Sequence, residues 1–211
     1  MTSFKINTRG YWETNDDIGH VFDPILCNEL VVILRESKIK TLCDFGCGMG
    51  DYSKLFVTNN IKCDAYDGNP NTELLTNGIG KVLDLSNKAK LGKSYDCVLS
   101  LEVGEHIPQE FEEIFIDNIC THSHKKLILS WAIPDQIGDG HVNCKENDYI
   151  IEQISNRGFI LNKKETEQLR NVSTLPWFKN TIMVFDKKKI NILLDWFKSI
   201  FLTNNNDDND R

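Results

Sequence analysis

Along the chain, short apolar and β-branched runs alternate with stretches whose apolar residues recur every three to four positions. The first pattern is that of buried strands, the second that of helices with one apolar face. The strand runs are Lys40 to Phe45, Ile61 to Tyr66, Lys81 to Leu85, Asp96 to Leu101, Lys126 to Ala132, Gly158 to Leu161 and Thr181 to Phe185, seven in all. Helices are predicted over Pro24 to Ser37, Asp51 to Thr58, Gln109 to Cys120 and Glu146 to Arg157, the last capped by Asn143 or Asn147. Strands and helices in alternation predict an α/β fold, a mostly parallel sheet with helices on both faces.

The 211 residues suit one such domain. Residues 1–34 read as an N-terminal lid and helix segment, 35–189 as the core, and 190–211 as an apolar helix followed by a tail. Within the last part, INILLDWFKSI (191–201) has apolar residues at helical spacing. It reads either as a helix packed on the domain or as a partner-binding or membrane-surface segment. TNNNDDNDR, polar and acidic, reads as a disordered tail.

A formal net charge of −7 argues against a broad basic surface, and so against strong unassisted nucleic-acid binding. It favours a small-molecule or saccharide partner. The seven cysteines (27, 43, 47, 63, 97, 120 and 144) form no C-x-x-C pair and are odd in number, so neither a zinc site nor a disulfide framework is indicated. They read as reduced thiols. No run approaches the ~18 apolar residues of a membrane span and the first residues contain no apolar leader, so a soluble, cytoplasmic protein is expected.

Directly after the first strand comes Asp44-Phe45-Gly46-Cys47-Gly48-Met49-Gly50, a glycine-rich loop that opens a helix. Such a loop lets backbone approach a ligand at the carboxyl end of a sheet, in dinucleotide enzymes and elsewhere. Three strand ends narrow the reading. The second ends in Asp67-Gly68, 23 residues after Asp44, where a carboxylate can accept both hydroxyls of a ribose. The third ends in Val82-Leu83-Asp84-Leu85-Ser86, with apolar side chains to flank an adenine and a carboxylate to accept from its amino group. The fourth ends in Leu99-Ser100-Leu101-Glu102, beside the reactive end. Aspartates often end strands in turns for local reasons, so the ordered set carries the reading rather than any one residue.

This order resembles the class I, Rossmann-like S-adenosylmethionine-dependent methyltransferases over roughly residues 35–186. The resemblance implies a seven-stranded sheet with a reversed last β-hairpin. It assigns Asp44, Gly46, Gly48 and Gly50 to the methionine moiety, Asp67 to the ribose and Asp84 to the adenine, with Gly68, Leu85 and Ser100 beside them.

The fourth strand runs into Glu102-Val103-Gly104-Glu105-His106. On a helical turn, positions 102, 105 and 106 stand at i, i+3 and i+4, gathering two carboxylates and an imidazole on one side. Two carboxylates so placed repel unless a cation separates them. Oxygen ligands suit Mg²⁺ and an added imidazole favours Mn²⁺. His141, in the loop after the fifth strand, faces the same crevice and is the fourth candidate ligand. The E-x-x-E-H run with a later histidine resembles the metal site of the ubiquinone-pathway catechol O-methyltransferases and of the small-RNA 3′-terminal 2′-O-methyltransferases. Both act on adjacent hydroxyls. The alternative is a metal-free site in which His106 or His141 acts as general base, with Glu105 beside it.

For the acceptor, Trp12, with Tyr11 and His20, is expected in a lid, Trp131 at the end of the fifth strand, and Asp135, Asp139 and Asn143 as hydrogen-bonding groups for a polyhydroxyl ligand. Arg170 and Trp177 are expected at the rim. The sequence thus predicts an O-methyltransferase acting on a vicinal diol, foremost of a sugar or glycan. An RNA 3′-terminal 2′-O-methyltransferase, a catechol or small-molecule O-methyltransferase and a non-enzymatic cofactor-binding module are the alternatives.

Overall fold

The computed structural model describes residues 5–16 and 19–188; the apolar 191–201 segment and the acidic tail lie outside the described residues. A short hairpin, β1 (Lys5–Ile6) and β2 (Trp12–Glu13), precedes α1 (Pro24–Glu36). There follow β3 (Thr41–Phe45), α2 (Asp51–Thr58), β4 (Lys62–Asp67), α3 (Thr72–Leu75), β5 (Gly80–Val82) and β6 (Tyr95–Ser100). The second half comprises α4 (Glu112–Thr121), β7 (Ser123–Leu129), α5 (Asn147–Asn156), β8 (Phe159–Leu161), α6 (Lys163–Val172), α7 (Phe178–Thr181) and β9 (Met183–Lys187).

Seven strands make one sheet in the order β5-β4-β3-β6-β7-β9-β8. Neighbours are parallel except β9, which runs antiparallel to both β7 and β8. The Rossmann-like sheet with its reversed end is therefore what the chain forms. Strand order switches direction between β3 and β6, which opens a crevice at their carboxyl ends.

β6, YDCVLS, is buried at every position because both faces are covered. Alternate residues serve opposite layers: Val98 packs with Phe115, Ile116 and Ile119 of α4, whereas Cys97 and Leu99 pack with Leu26, Leu30 and Leu34 of α1. Helix α1, assigned by sequence to the N-terminal segment, is thus a layer of the core. Its start is fixed by Pro24 in the first turn and by Asp23, whose Oδ1 accepts from the Leu26 N–H at 2.9 Å. Asp23 Oδ2 also accepts from Thr174 N at 2.7 Å and so ties α1 to the loop after α6.

Three expectations change in detail. β5 stops at Val82 because Asp84 draws the chain into a turn, accepting from Ser86 N at 2.9 Å. α5 is capped by neither Asn143 nor Asn147: Glu146 holds the cap position without a side-chain hydrogen bond, and Asn147 is already helical. Helix α6 was not expected, since KKETEQLRNV buries only Thr166 and Leu169.

Asp96 at the start of β6 links two strand ends. Its Oδ2 accepts from Lys40 N at 2.8 Å and Thr41 N at 3.1 Å, and its Oδ1 meets Lys125 Nζ at 2.6 Å. Burial pushes its pKa up, but Lys125 and the two amides outweigh that and hold it at about 2, below the ordinary 3.8. A depressed carboxyl pKa adds stability that is present above the unfolded value and lost as pH falls through the folded one. Asp96→Asn is expected to cost roughly 2 kcal/mol at pH 7. In urea titrations across pH, the gap to the parent protein should close between 3.8 and about 2.

Candidate functional site

A cavity of about 370 Å³ opens at the switch in strand order. Its walls include Asp44, Gly46, Gly48, Asp67, Gly68, Asp84 and Leu85 from the expected cofactor set, and Trp12, Glu102, His106, Asp139 and His141 from the expected acceptor set. Trp177 also lines it, whereas Arg170 turns to donate to the Ile182 carbonyl.

The glycine loop leaves β3 with Gly46 at φ 83° and Gly48 at φ 51°, both in the left-handed region. A Cβ at Gly46 would lie 2.2 Å from Val103 Cγ2, and one at Gly48 would lie 2.5 Å from the His20 ring. Gly50 caps α2 outside the cavity lining. Asp67 Oδ2 accepts from Gly48 N at 3.0 Å and Oδ1 from Asn69 N at 2.9 Å, so the end of β4 holds the loop in place. Asp44 is buried and accepts from Ser53 Oγ at 2.6 Å. Burial pushes its pKa up to about 7 despite that hydrogen bond, and the charge on Asp67 adds to the rise.

Sequence reasoning missed Arg9. Its Nε lies 2.7 Å from Asp84 Oδ2 and its guanidinium sits 4.5 Å above the Phe111 ring. The carboxylate expected to receive adenine is therefore already engaged by Arg9, Ser86 and Asn87. Arg9 belongs to a strap that crosses the cavity. Gly10 packs against the His106 carbonyl, Tyr11 against Gly68, and Trp12 stands edge-on to His106 with centroids 5.6 Å apart. Nothing periodic in the first residues marks this strap.

Several expected residues lie elsewhere. Ser100 Oγ is buried and donates to the Phe45 carbonyl at 2.7 Å, inside the sheet rather than in the cavity. Trp131 is 1 % exposed; its ring packs on Gly104 and Phe115, and its Nε1 donates to the Asn143 carbonyl. Asp135 is exposed at φ 69° and stands outside the cavity lining.

The anticipated helical turn from Glu102 does not form as such. Glu102 sits at φ 52°, its N–H bonded to Ser130 Oγ, and only Gly104–His106 form a 3-10 turn. The Glu102 carboxylate accepts from Gln136 Nε2 at 2.7 Å and Thr181 Oγ1 at 3.3 Å. Glu105, by contrast, is fully buried and does not line the cavity, and neither of its carboxylate oxygens has a hydrogen-bond partner among the described residues. Burial, then the charge of Glu102, drive its pKa well above the usual carboxylate range.

His106 Nδ1 lies 3.2 Å from the Gly140 carbonyl and His141 Nδ1 lies 2.9 Å from the Gln136 carbonyl. Protonated Nδ1 atoms donate there, which leaves each Nε2 lone pair free. Burial and the neighbouring His141 lower the His106 pKa to about 4, so its ring is neutral at pH 7. One ligand atom each from Glu105, His106 and His141 lie within 4.8 Å of one another, the one such group among the described residues. Glu102 stands outside this group. A partnerless buried carboxylate with two free imidazole nitrogens suits a divalent ion of the Mn²⁺ type.

Residues 25–135, more than half of the chain, match the methyltransferase-domain family. The chain belongs to that family. The same fold recurs in the magnesium protoporphyrin IX methyltransferase of Synechocystis PCC 6803 with bound S-adenosylhomocysteine, at TM-score 0.60 and 19 % identity over 77 % of this methyltransferase and 82 % of that chain. It recurs in the sugar N-methyltransferase KedS8 of Streptoalloteichus sp ATCC 53650, at TM-score 0.62 and 11 % identity over 83 % and 98 % of the two chains. The methyltransferase domain of bacterial CtHen1-C superposes at TM-score 0.57 with 14 % identity over 78 % and 98 %. No curated protein sequence matches. Among its described residues no helix is long and apolar enough to cross a membrane.

Proposed function

We propose that this methyltransferase transfers the methyl group to a hydroxyl of a vicinal diol on a sugar or glycan, assisted by Mn²⁺ or Mg²⁺. The observation that carries the reading is Glu105, buried without a hydrogen-bond partner among the described residues, with ligand atoms of His106 and His141 within 4.8 Å. A carboxyl group in that setting is costly unless a cation completes it.

Methyl transfer is an in-line displacement from a sulfonium, so the protein mainly aligns the acceptor and provides for its proton. The Gly46 to Gly48 loop and Asp67 would hold the donor; His106 and His141 line the same cavity, and with the fully buried Glu105 they would hold the ion. A bound divalent ion would lower the pKa of an acceptor hydroxyl and fix the orientation of its neighbour. Glu102, Gln136 and Asp139 line the same cavity and supply hydrogen-bonding groups for a polyhydroxyl ligand. The net charge of −7 favours a saccharide over a polynucleotide.

The test is consumption of methyl donor with glycosides, catechols and short RNAs, in EDTA and with Mn²⁺ restored. Turnover is expected with diol-bearing glycosides, to fall by roughly 100-fold or more in EDTA and to return with Mn²⁺. Full activity in EDTA would refute the metal. Turnover confined to catechols or RNA would refute the saccharide, and cofactor binding without turnover on any diol would leave a non-catalytic module.

A further inference from the structure

The loop that carries His141 is exposed over much of its length. Ile137, Gly138, Asp139 and Val142 are exposed, and the His141 ring bonds to Gln136 within the same loop. Besides the His106 contact to Gly140 and the Gln136 Nε2 bond to Glu102 at 2.7 Å, its docking rests on the Val142 and Asn143 amides, which both donate to the Glu105 carbonyl at 2.9 Å. Asn143 is 4 % exposed and joins three elements. Its carbonyl accepts from Trp131 Nε1 at 2.7 Å, and its Nδ2 donates to Glu112 Oε2 at 2.8 Å. Glu112, the first residue of α4 and also 4 % exposed, takes Lys145 Nζ at 3.2 Å and the Tyr149 hydroxyl as well.

We propose that Glu112 and Asn143 are positioning residues that set the register of the His141 loop against Glu105, so that Glu105, His106 and His141 converge on one point. The effect on metal binding rests on the ion reading above; the register itself does not. Neither residue lines the cavity, so both act through the backbone they hold. A buried carboxylate satisfied by an amide, an ammonium and a hydroxyl makes a rigid clamp, and such outer partners typically alter metal affinity by about 10–100-fold.

The pairing can be inverted. Glu112→Gln removes the charge and leaves one carbonyl oxygen for the three donors of Asn143, Lys145 and Tyr149, and Asn143→Asp sets a carboxylate against Glu112. The double variant restores one donor and one acceptor with the polarity reversed. Three quantities are measured in all four proteins: Mn²⁺ affinity from the free-ion electron paramagnetic resonance signal, hydrogen exchange at the Val142 and Asn143 amides, and S-adenosylhomocysteine affinity. Each single variant is expected to weaken Mn²⁺ binding by about 10-fold or more and to lose exchange protection, with S-adenosylhomocysteine affinity within about two-fold. The double variant should regain both.

Single variants that keep Mn²⁺ affinity, lose S-adenosylhomocysteine binding in parallel, or are not rescued by the double would overturn the proposal. If the parent protein binds no Mn²⁺, the ion reading fails by itself. Exchange then decides the register alone: protection lost and regained supports it, and unchanged protection overturns it.

Discussion

Glu105→Gln is expected to lower turnover by roughly 100-fold or more while S-adenosylmethionine affinity stays within about two-fold. The separation follows from where the side chain lies. Glu105 is fully buried on the 3-10 turn after β6, beside His106 and His141 and outside the lining of the cavity that the Gly46 to Gly48 loop borders. The amide keeps the volume and removes the negative charge that a cation requires. The same change should raise the melting temperature of the metal-free protein, because a carboxyl group without partners, next to the Glu102 carboxylate, opposes folding. With Mn²⁺ added, only the parent protein should gain stability. A turnover assay, thermal denaturation with and without Mn²⁺, and isothermal titration with the cofactor read these four effects. Parallel loss of turnover and cofactor affinity would instead place Glu105 in the donor pocket.

Asp67→Ala is expected to do the reverse and weaken S-adenosylmethionine binding by about 30–100-fold, with Mn²⁺ affinity little changed. Two contributions add. The expected hydrogen bonds to the ribose are lost, and so are the acceptors for Gly48 N and Asn69 N, which hold the glycine loop against β4. Removing a charged acceptor from such donors costs about 2–2.7 kcal/mol, which is the stated factor. Asp67→Asn should fall between the two, since its amide oxygen still accepts from one N–H. Equal affinities for Asp67→Ala and the parent protein, measured by titration calorimetry, would refute the assignment.

The sheet and the glycine loop were legible because their signals are local. A parallel strand covered on both faces must be apolar throughout, as β6 is, and a loop with Gly46 and Gly48 at positive φ announces itself in the residue types. The arrangement at the far end of the cavity depends on contacts that no spacing encodes. Arg9 meets Asp84 across 75 positions, and Asn143 meets Glu112 across 31. Glu102 fell out of the expected set because one left-handed residue, at φ 52°, breaks the i, i+3, i+4 stacking. Ser100 and Trp131 were assigned to the cleft because they stand at strand ends; the side each faces is set by packing, on the Phe45 carbonyl for one and on Gly104 for the other. Helix α6 hides because it buries little apolar surface, its cap Asn162 to Glu165 N being the one local sign.

Anomalous diffraction at the manganese edge, from crystals grown with S-adenosylhomocysteine and Mn²⁺, addresses the core of this account most directly. It should show a peak bounded by Glu105, His106 and His141, with the thioether sulfur of the ligand in the same cavity next to the Gly46 to Gly48 loop. A sulfur lodged away from that loop, or crystals with the ligand in place and no peak at those three side chains, would contradict it.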